Sequence, residues 1–315
     1  FFKTNLNLFI LLSLMDLDTD IFLDKRFHFT FLFLILIVIF ILSYNILTKD
    51  KENILISEDI KSVTSPQSGD TIITTENINI SNKTIGNFYA YVINQYSNDV
   101  SVVDLNKKEV IFTIPVGQNP REGYIEDNLL YVTNYRSNSI SVIDLKTNSV
   151  TRTITTKKSP HGIIIYKDYI YVTNSPEDMV SAIDKESAEI TDILAGRSPH
   201  LMVLDKSRGH IYVTNIISNE VSIINTANNK LIRDIDSAES PEGIALGPYG
   251  DYIYVTNRDS NDVSVIPSKL NKVKNKIRVG ENPIRVTFTP NGEYALVTNQ
   301  DSSFISKISS RTEKV

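Results

Sequence analysis

The chain has 315 residues, no cysteine and a formal net charge of −5, from 32 basic and 37 acidic side chains. The absence of cysteine excludes disulfide bonds and thiol chemistry, and the acidic balance gives no general attraction to nucleic acid. We therefore expect no nucleic-acid partner.

The N-terminal part contains one long apolar segment. Residues 29–47 are apolar except for Thr30, Ser43, Tyr44 and Asn45. A helix of this length spans about 28 Å, which is close to the thickness of a bilayer core. We predict a transmembrane anchor at 29–47, an N-terminal tail at 1–28 before it and a polar stalk at 48–69 after it.

A cleaved signal peptide is the alternative for the same segment, with Lys25 and Arg26 as its charged region. Residues 42–45 offer no Ala-x-Ala cleavage site, which favours an uncleaved anchor. Lys49 and Lys51 balance the charges on the other side of the segment, so the charges alone do not fix its orientation.

From residue 70 onward the sequence repeats one pattern with a period of about 40 residues. Each unit has an aromatic-Val-Thr-Asn strand, a polar turn, a Val-Ser-Val-type strand and two further β-rich runs. The pattern begins at Tyr91, Tyr131, Tyr171, Tyr212, Tyr254 and Leu296. Four short strands with tight turns form one up-and-down sheet, and such sheets arranged around an axis form a β-propeller. We predict an all-β propeller of four-stranded blades at 70–315, with six blades and seven as the alternative.

An asparagine ends the Tyr-Val-Thr-Asn run of every unit. Such a residue can hydrogen-bond to nearby backbone at a turn. Because it recurs six times, we expect it to be architectural and not part of a ligand site.

The repeat resembles the YVTN-type β-propeller repeat of archaeal and bacterial surface-layer-like and periplasmic proteins. The Tyr-Val-Thr-Asn runs, the Ser-Asn turn after them and the Gly-x-x-Pro segment before the next blade, as at 117–120, carry the resemblance. It implies an extracytoplasmic, often surface-associated protein, with an envelope or surface protein or polymer as partner. Asn79 and Asn82 stand in sequons and are candidate glycosylation sites.

The last blade is short of one strand. Residues 284–289, 294–298 and 304–309 supply three β-rich runs, and the fourth has to come from elsewhere. We predict that residues 70–75 supply it and that residues 77–81 open the first blade, because closure by both termini removes free sheet edges. A chain that lacks a C-terminal blade is the alternative.

The residues that follow the blade-opening prolines form the candidate site. By analogy with other propellers, this segment faces one end of the central channel, where His161, His200 and Glu242 come from consecutive blades. Arg121 and Arg285 stand at or next to the corresponding position in two other blades. These groups suit an anion or a zinc-like metal ion. The alternative is a polar lining that any wet channel mouth requires.

The sequence contains no Gly-x-Ser-x-Gly, His-Glu-x-x-His or phosphate-loop motif, so no catalytic residue and no cofactor is assigned. We predict a membrane-anchored, extracytoplasmic, non-catalytic surface or interaction scaffold, with Arg136 and Arg258 on partner-facing loops. The alternative is a lactonase-like or lyase-like propeller enzyme with its site at the channel mouth. A haem or quinone carrier is a third hypothesis, although the chain has no Cys-x-x-Cys-His motif.

Overall fold

A computed structural model describes residues 71–76, 88–270 and 272–315 of the chain. The predicted tail, anchor and stalk lie outside these residues. Residues 77–81, which include the sequon residue Asn79, also lie outside them, and so does the second sequon residue, Asn82. Within the described ranges, no helix is long and apolar enough to cross a membrane.

The described residues form six antiparallel sheets that follow one another along the chain as blades 1 to 6. Blade 1 contains β1 (Thr71–Glu76), β2 (Phe88–Asn94), β3 (Asp99–Asp104) and β4 (Glu109–Pro115). Blade 2 contains β5 (Pro120–Glu126), β6 (Leu129–Asn134), β7 (Ser139–Asp144) and β8 (Ser149–Thr155). Blade 3 contains β9 (Pro160–Tyr166), β10 (Tyr169–Asn174), β11 (Met179–Asp184) and β12 (Ile190–Leu194), with a 3₁₀ turn at Ser175–Glu177.

The second half of the ring has the same strand order. Blade 4 contains β13 (Pro199–Asp205), β14 (His210–Asn215), β15 (Glu220–Asn225) and β16 (Lys230–Asp236). Blade 5 contains β17 (Pro241–Leu246), β18 (Tyr252–Asn257), β19 (Asp262–Pro267) and β20 (Asn275–Arg278). Blade 6 contains β21 (Pro283–Phe288), β22 (Tyr294–Asn299) and β23 (Ile305–Ser309). The prediction of an all-β, six-bladed propeller is confirmed.

Burial changes from the inner to the outer strands of a blade. The second strand is buried on both faces, as in β10, where five consecutive residues from Ile170 to Asn174 are buried. A strand that contacts a neighbouring blade on each face needs apolar or fully hydrogen-bonded residues throughout. The outermost strand is exposed except for one isoleucine, which is 3–6% exposed in each of the five blades that have this strand. These residues are Ile114, Ile154, Ile193, Ile235 and Ile277.

The apolar core lies between the blades. Five clusters of buried side chains occur in the described residues, and they join blade 1 to 2, 2 to 3, 3 to 4, 4 to 5 and 5 to 6. The cluster between blades 2 and 3, for example, combines Ile140 and Ile154 with Ile165 and Ile183. Each blade therefore depends on its neighbours for burial, as expected for a repeat that cannot bury both faces alone.

The repeated asparagines are architectural, as predicted, but most of their contacts are to side chains. Asn134, Asn215 and Asn257 are 0% exposed. Their amide nitrogens donate to the serine hydroxyl of the adjacent strand, for example from Asn215 to Ser222 at 2.8 Å. The expectation of bonds to nearby backbone was incomplete, because strand pairing places the serine seven residues later beside the asparagine.

The prediction for ring closure is wrong. Residues 71–76 do not complete blade 6, because β1 pairs along its whole length with β2, from Thr71 opposite Ile93 to Glu76 opposite Phe88. It is the innermost strand of blade 1, the place that we assigned to residues 77–81. Blade 6 has three strands in the described part of the chain.

Candidate functional site

The innermost strands of blades 2 to 6 share an irregularity at their start. In blade 3, Pro160 pairs with Asn174 and Ile163 pairs with Val172, so that His161 and Gly162 lie opposite Thr173 alone. Register shifts occur at the same place in the four other blades. An extra residue of this kind is a β-bulge, which changes the direction of a side chain and is common beside active sites.

The threonine of each Tyr-Val-Thr-Asn run holds the bulge of the next blade. Thr133 donates its hydroxyl to the carbonyl of His161 at 2.7 Å, and Thr173 donates to the carbonyl of His200 at 2.7 Å. Thr214 donates to the carbonyl of Glu242 at 3.0 Å. The same oxygen accepts a backbone N–H from its own blade, as from Gly162 to Thr173 at 2.7 Å. A buried hydroxyl thus fixes each of these three positions between two blades.

Glycine within the bulge lets neighbouring innermost strands approach closely. A Cβ on Gly162 would lie 2.4 Å from the carbonyl oxygen of His200, and a Cβ on Gly243 would lie 2.6 Å from that of Ile284. Both contacts are to backbone of the following blade, which cannot move aside as a side chain can. Blades 3 and 4 and blades 5 and 6 therefore require glycine at these positions.

The bulges bring polar side chains from several blades together. The rings of His161 and His200 lie face to face at a tilt of 37°, with their centroids 4.0 Å apart. Arg285 of blade 6 forms an ion pair with Glu122 of blade 2 at 2.7 Å. Its charge also acts on His161, His200 and Glu242, from blades 3, 4 and 5. A guanidinium group that acts on four other blades lies near the channel axis.

The remaining charged groups at this end of the channel form ion pairs, a hydrogen bond and a ring contact of their own. Arg258 forms an ion pair with Glu242 at 3.3 Å and a second with Asp259 at 3.1 Å. Arg121 donates to Gln95 of blade 1 at 3.2 Å, and its guanidinium group lies 4.9 Å from the ring centroid of Tyr135. Each of the six blades therefore contributes to one polar ring, which we call the channel mouth. It comprises Gln95, Arg121, Glu122, His161, His200, Glu242, Arg258 and Arg285.

The electrostatics of the mouth keep both histidines neutral. Burial lowers the pKa of His161 well below its usual value, and the neighbouring His200, Arg285 and Arg121 lower it further. Burial also lowers the pKa of His200 to about 3, with Arg285 as the next cause, although a hydrogen bond to the backbone of Glu242 opposes the shift. Burial raises the pKa of Glu242, while Arg285 and Arg258 oppose that effect.

Both imidazoles have an unsatisfied ring nitrogen. His161 is 7% exposed, and Nδ1 of His161 and Nδ1 of His200 are buried without a hydrogen-bond partner among the described residues. Buried polar atoms nearly always have a partner, so these two atoms point to a ligand or an ordered water. The same residues contain no group of three or more His, Cys, Asp or Glu side chains arranged to hold a metal ion.

A cavity of about 320 Å³ lies next to the mouth, between the innermost strands of blades 2, 3 and 4. Glu122, Gly123, Gly162 and Lys206 line part of this cavity, and the rest of its wall is aliphatic or aromatic. The aliphatic and aromatic residues of the wall are Tyr124, Ile163, Ile164, Leu201, Met202, Val203 and Leu204. This volume is in the range of small-molecule sites, which combine apolar walls with a few polar groups.

The structure brings the five predicted site residues to one end of the channel. His161 and His200 are in direct contact, and Arg285 links the predicted set to Glu122. Sequence reasoning missed Gln95, which directly follows the asparagine of the first repeat, and it placed Arg258 on a partner-facing loop. In the structure Arg258 pairs with Glu242 at the channel mouth, which the sequence reasoning did not foresee. Its position directly after Asn257, equivalent to that of Gln95 after Asn94, is the signal that could have located both.

The fold and this mouth define a β-propeller whose central channel has a polar opening. Residues 123–314, more than half of the chain, match the family described as Lactonase, 7-bladed beta-propeller. The chain therefore belongs to this family, although the part that the structure describes has six blades. The surface-layer-like assignment from the Tyr-Val-Thr-Asn repeat stays a prediction. Among curated proteins, none matches the chain.

Solved structures of low sequence identity share the fold. A candidate 6-phosphogluconolactonase from Bacteroides uniformis is 19% identical, with a TM-score of 0.61 over 70% of this chain and 77% of that one. A functionally unknown protein from Desulfotomaculum acetoxidans is 14% identical, with a TM-score of 0.61 over 70% and 80%. Hydrazine synthase from Kuenenia stuttgartiensis is 16% identical, with a TM-score of 0.50 over 70% and 92%. Such distant likeness extends to the fold alone.

Proposed function

We propose that the protein is a hydrolase of anionic lactones, with its reaction centre at the channel mouth. The observation that carries the proposal is the neutral, closely packed pair of His161 and His200 beside the guanidinium groups of Arg121 and Arg285. Membership of the lactonase propeller family supports this reaction class over the non-catalytic scaffold.

His200 is the residue that we assign as general base. A neutral imidazole accepts a proton, and the hydrogen bond to the backbone of Glu242 holds the ring while Nδ1 remains available. His161 is more deeply buried and supports the ring of His200 from the neighbouring blade. We therefore treat His161 as a positioning residue.

The low pKa of His200 favours an anionic substrate. An imidazole with a pKa of about 3 is a weak base at neutral pH, since a good general base has a pKa near the working pH. Burial is the largest cause of this low value, and Arg285 and Arg121 add to it. A carboxylate or phosphate group bound between the two arginines would offset their charge and so raise the pKa of His200.

The reaction itself needs water and one proton shuttle. The water oxygen attacks the carbonyl carbon of the lactone while Nδ1 of His200 takes the water proton. The guanidinium group of Arg285 stabilises the oxyanion that forms. The ring C–O bond then breaks, and His200 returns the proton to the departing alkoxide. The product is an open-chain hydroxy acid, which releases one proton to the medium when its carboxyl group ionises.

A proton-release assay tests the proposal on the purified full-length chain. We would use D-glucono-1,5-lactone and its 6-phosphate, the second because of the substrate that the name of the Bacteroides uniformis protein indicates. We expect the wild-type chain to accelerate hydrolysis of the phosphorylated lactone more than that of the neutral one. His200→Ala should lower kcat by about 10²–10⁴-fold, the usual contribution of a general base. Arg285→Gln should raise KM and lower kcat, because Arg285 both binds the anionic group and stabilises the oxyanion.

His210→Ala is the matched control, because His210 lies at the start of β14, outside the channel mouth. It should retain wild-type rates. If the wild-type chain accelerates neither reaction, the lactonase proposal is wrong and the interaction scaffold is the function to pursue.

The placement of the protein is a separate proposal. We keep a membrane anchor at 29–47, an extracytoplasmic propeller and an envelope or surface partner as predictions from the sequence. Fractionation of cells that express the full chain, followed by protease treatment of intact cells, would test them. A propeller that is found in the soluble fraction would contradict the anchor.

A further inference from the structure

The cavity beside the channel mouth takes no part in the proposed reaction. It has a volume of about 320 Å³ and lies between the innermost strands of blades 2, 3 and 4. On the blade 4 side it is lined by residues 201–204 and by Lys206. Leu201 directly follows the mouth residue His200, whereas Lys206 lies just beyond the other end of β13. The lined stretch of this strand therefore leads away from the mouth over about 17 Å.

The wall along β13 is apolar and only partly buried. Residues 201–204, which are two leucines, a methionine and a valine, are each half-buried, although β13 packs between β9 and β17 inside the ring. On the blade 3 side, Ile163 and Ile164 are 6% and 3% exposed. The accessible apolar surface of the cavity is thus supplied mainly by β13. Water finds few partners against such a wall, so the cavity favours an aliphatic occupant.

The charged residues of the cavity lie at opposite ends of it. Glu122 lies at the mouth end, where its carboxylate pairs with Arg285 at 2.7 Å. Lys206 is the one cation among the described residues that line the cavity. It is exposed, and none of the ion pairs within the described part of the chain includes it. The ammonium group of Lys206 can therefore pair with an anionic group of a ligand.

We propose that this cavity is a second ligand site, which takes a straight-chain aliphatic carboxylate of medium length, such as octanoate. The chain lies along residues 201–204, and the carboxylate lies at Lys206. Lys206 attracts the carboxylate, and Glu122 disfavours an anion at the other end of the cavity. Apolar walls with one polar group at the end are typical of small-molecule sites. The site does not depend on the proposed hydrolase activity, because it uses none of the reacting groups.

Equilibrium dialysis of labelled octanoate against the purified full-length chain tests the site. The chain is held in lipid nanodiscs, since a detergent would compete for an apolar cavity, and empty nanodiscs give the background. We expect saturable binding of octanoate to the wild-type chain. Octanoate should bind about 15-fold more tightly than hexanoate, because each buried methylene contributes about a factor of four. Binding no higher than the background would overturn the proposal.

A substitution that fills the cavity tests where the chain of the ligand lies. Met202→Trp places a larger side chain in the cavity and should abolish octanoate binding. Ile232→Trp is the matched control, because Ile232 is 44% exposed on the outermost strand of blade 4. Octanoate should raise the midpoint of thermal unfolding of the wild type and of Ile232→Trp, but not that of Met202→Trp. Undiminished binding to a folded Met202→Trp variant would show that the ligand lies elsewhere and that the proposal is wrong.

Lys206→Gln tests the position of the carboxylate, and it changes an exposed residue, so it carries the test even where Met202→Trp fails to fold. It should weaken octanoate binding by about two- to fivefold, the range of an exposed ion pair, and leave octanol binding unchanged. Lys167→Gln is the matched control, because Lys167 follows β9 as Lys206 follows β13 but does not line the cavity. It should bind both ligands as the wild type does. If Arg285→Gln weakens octanoate binding and Lys206→Gln does not, the carboxylate lies at the channel mouth, which contradicts the proposal.

Discussion

The second strands of the blades and the bulges of the innermost strands lie side by side, yet their sequences follow opposite rules. In the second strands, threonine and asparagine recur at the same two places and are buried in blades 2 to 6. At the bulges, the residue after the opening proline is Arg121, His161, His200, Glu242 or Ile284. The repeated residues hold the ring together, and the residues that differ between blades give the channel mouth its chemistry.

This contrast explains why one threonine serves two regions. Thr173 belongs to the repeated part, but its hydroxyl fixes the backbone of His200 in the variable part. The backbone positions of His161, His200 and Glu242 are thus set by the preceding blade, while the identity of the residue is free to differ. Substitutions in the two regions should therefore affect different properties of the protein.

The largest expected effect on stability comes from the core between blades. Ile183 is 0% exposed and packs between blades 2 and 3. Ile183→Ala should lower the free energy of unfolding by about 2–5 kcal/mol, as measured by denaturant titration. Its cross-strand partner Ile190 is 37% exposed and supplies the control. Ile190→Ala should change the free energy of unfolding by less than about 0.5 kcal/mol. Equal losses in the two variants would contradict the burial pattern.

An intermediate effect is expected where the two regions meet. Thr173→Val keeps the shape of the side chain but leaves the Gly162 N–H and the His200 carbonyl without their shared hydroxyl. The free energy of unfolding should fall by about 1–3 kcal/mol, because buried polar groups lose a partner. The turnover of any lactone substrate should fall as well, since His200 is no longer fixed. Thr173→Ser restores the hydroxyl and should recover both properties, and a Val variant as stable as the wild type would refute the role of this bond.

The smallest effect at neutral pH is expected from the mouth histidines, and it grows as the pH falls. Their pKa values lie below the unfolded value of about 6.5, with that of His200 at about 3. Below pH 6.5 the unfolded chain binds protons that the folded chain does not, so the folded state loses stability as the pH falls. The loss is at most about 1.4 kcal/mol per pH unit for each histidine. His161→Gln with His200→Gln should flatten the stability profile between pH 6.5 and pH 4, and an unchanged slope would contradict neutral histidines.

The repeat allowed the blades to be predicted because each unit contains its own alternation of strands and turns. The placement of His161 and His200 on neighbouring blades also followed from the sequence, since they occupy equivalent positions in consecutive repeats, but their direct ring contact did not. The bulge could not be predicted in this way, because it depends on how two strands pair and not on either strand alone. The ion pair between Arg285 and Glu122 was missed for a related reason. This ion pair joins blade 6 to blade 2, which are not neighbours in the ring and are far apart along the chain.

Ring closure failed as a prediction because two β-rich segments competed for one place. Residues 71–76 have strong β propensity, and that property alone does not tell an innermost strand from an outermost one. The pairing of β1 with β2 decides the question, because it extends over all six residues.

The unequal residues of the channel mouth have a consequence for how a bound molecule is oriented. A ring of six identical side chains would present six equivalent orientations to a small molecule that approaches along the axis. Here the imidazole pair lies in blades 3 and 4, the Glu242–Arg258 pair lies in blade 5, and Arg285 reaches from blade 6 to blade 2. The six orientations are then no longer equal in energy. A propeller built from copies of one unit thereby becomes able to hold a small molecule in a single orientation about its axis.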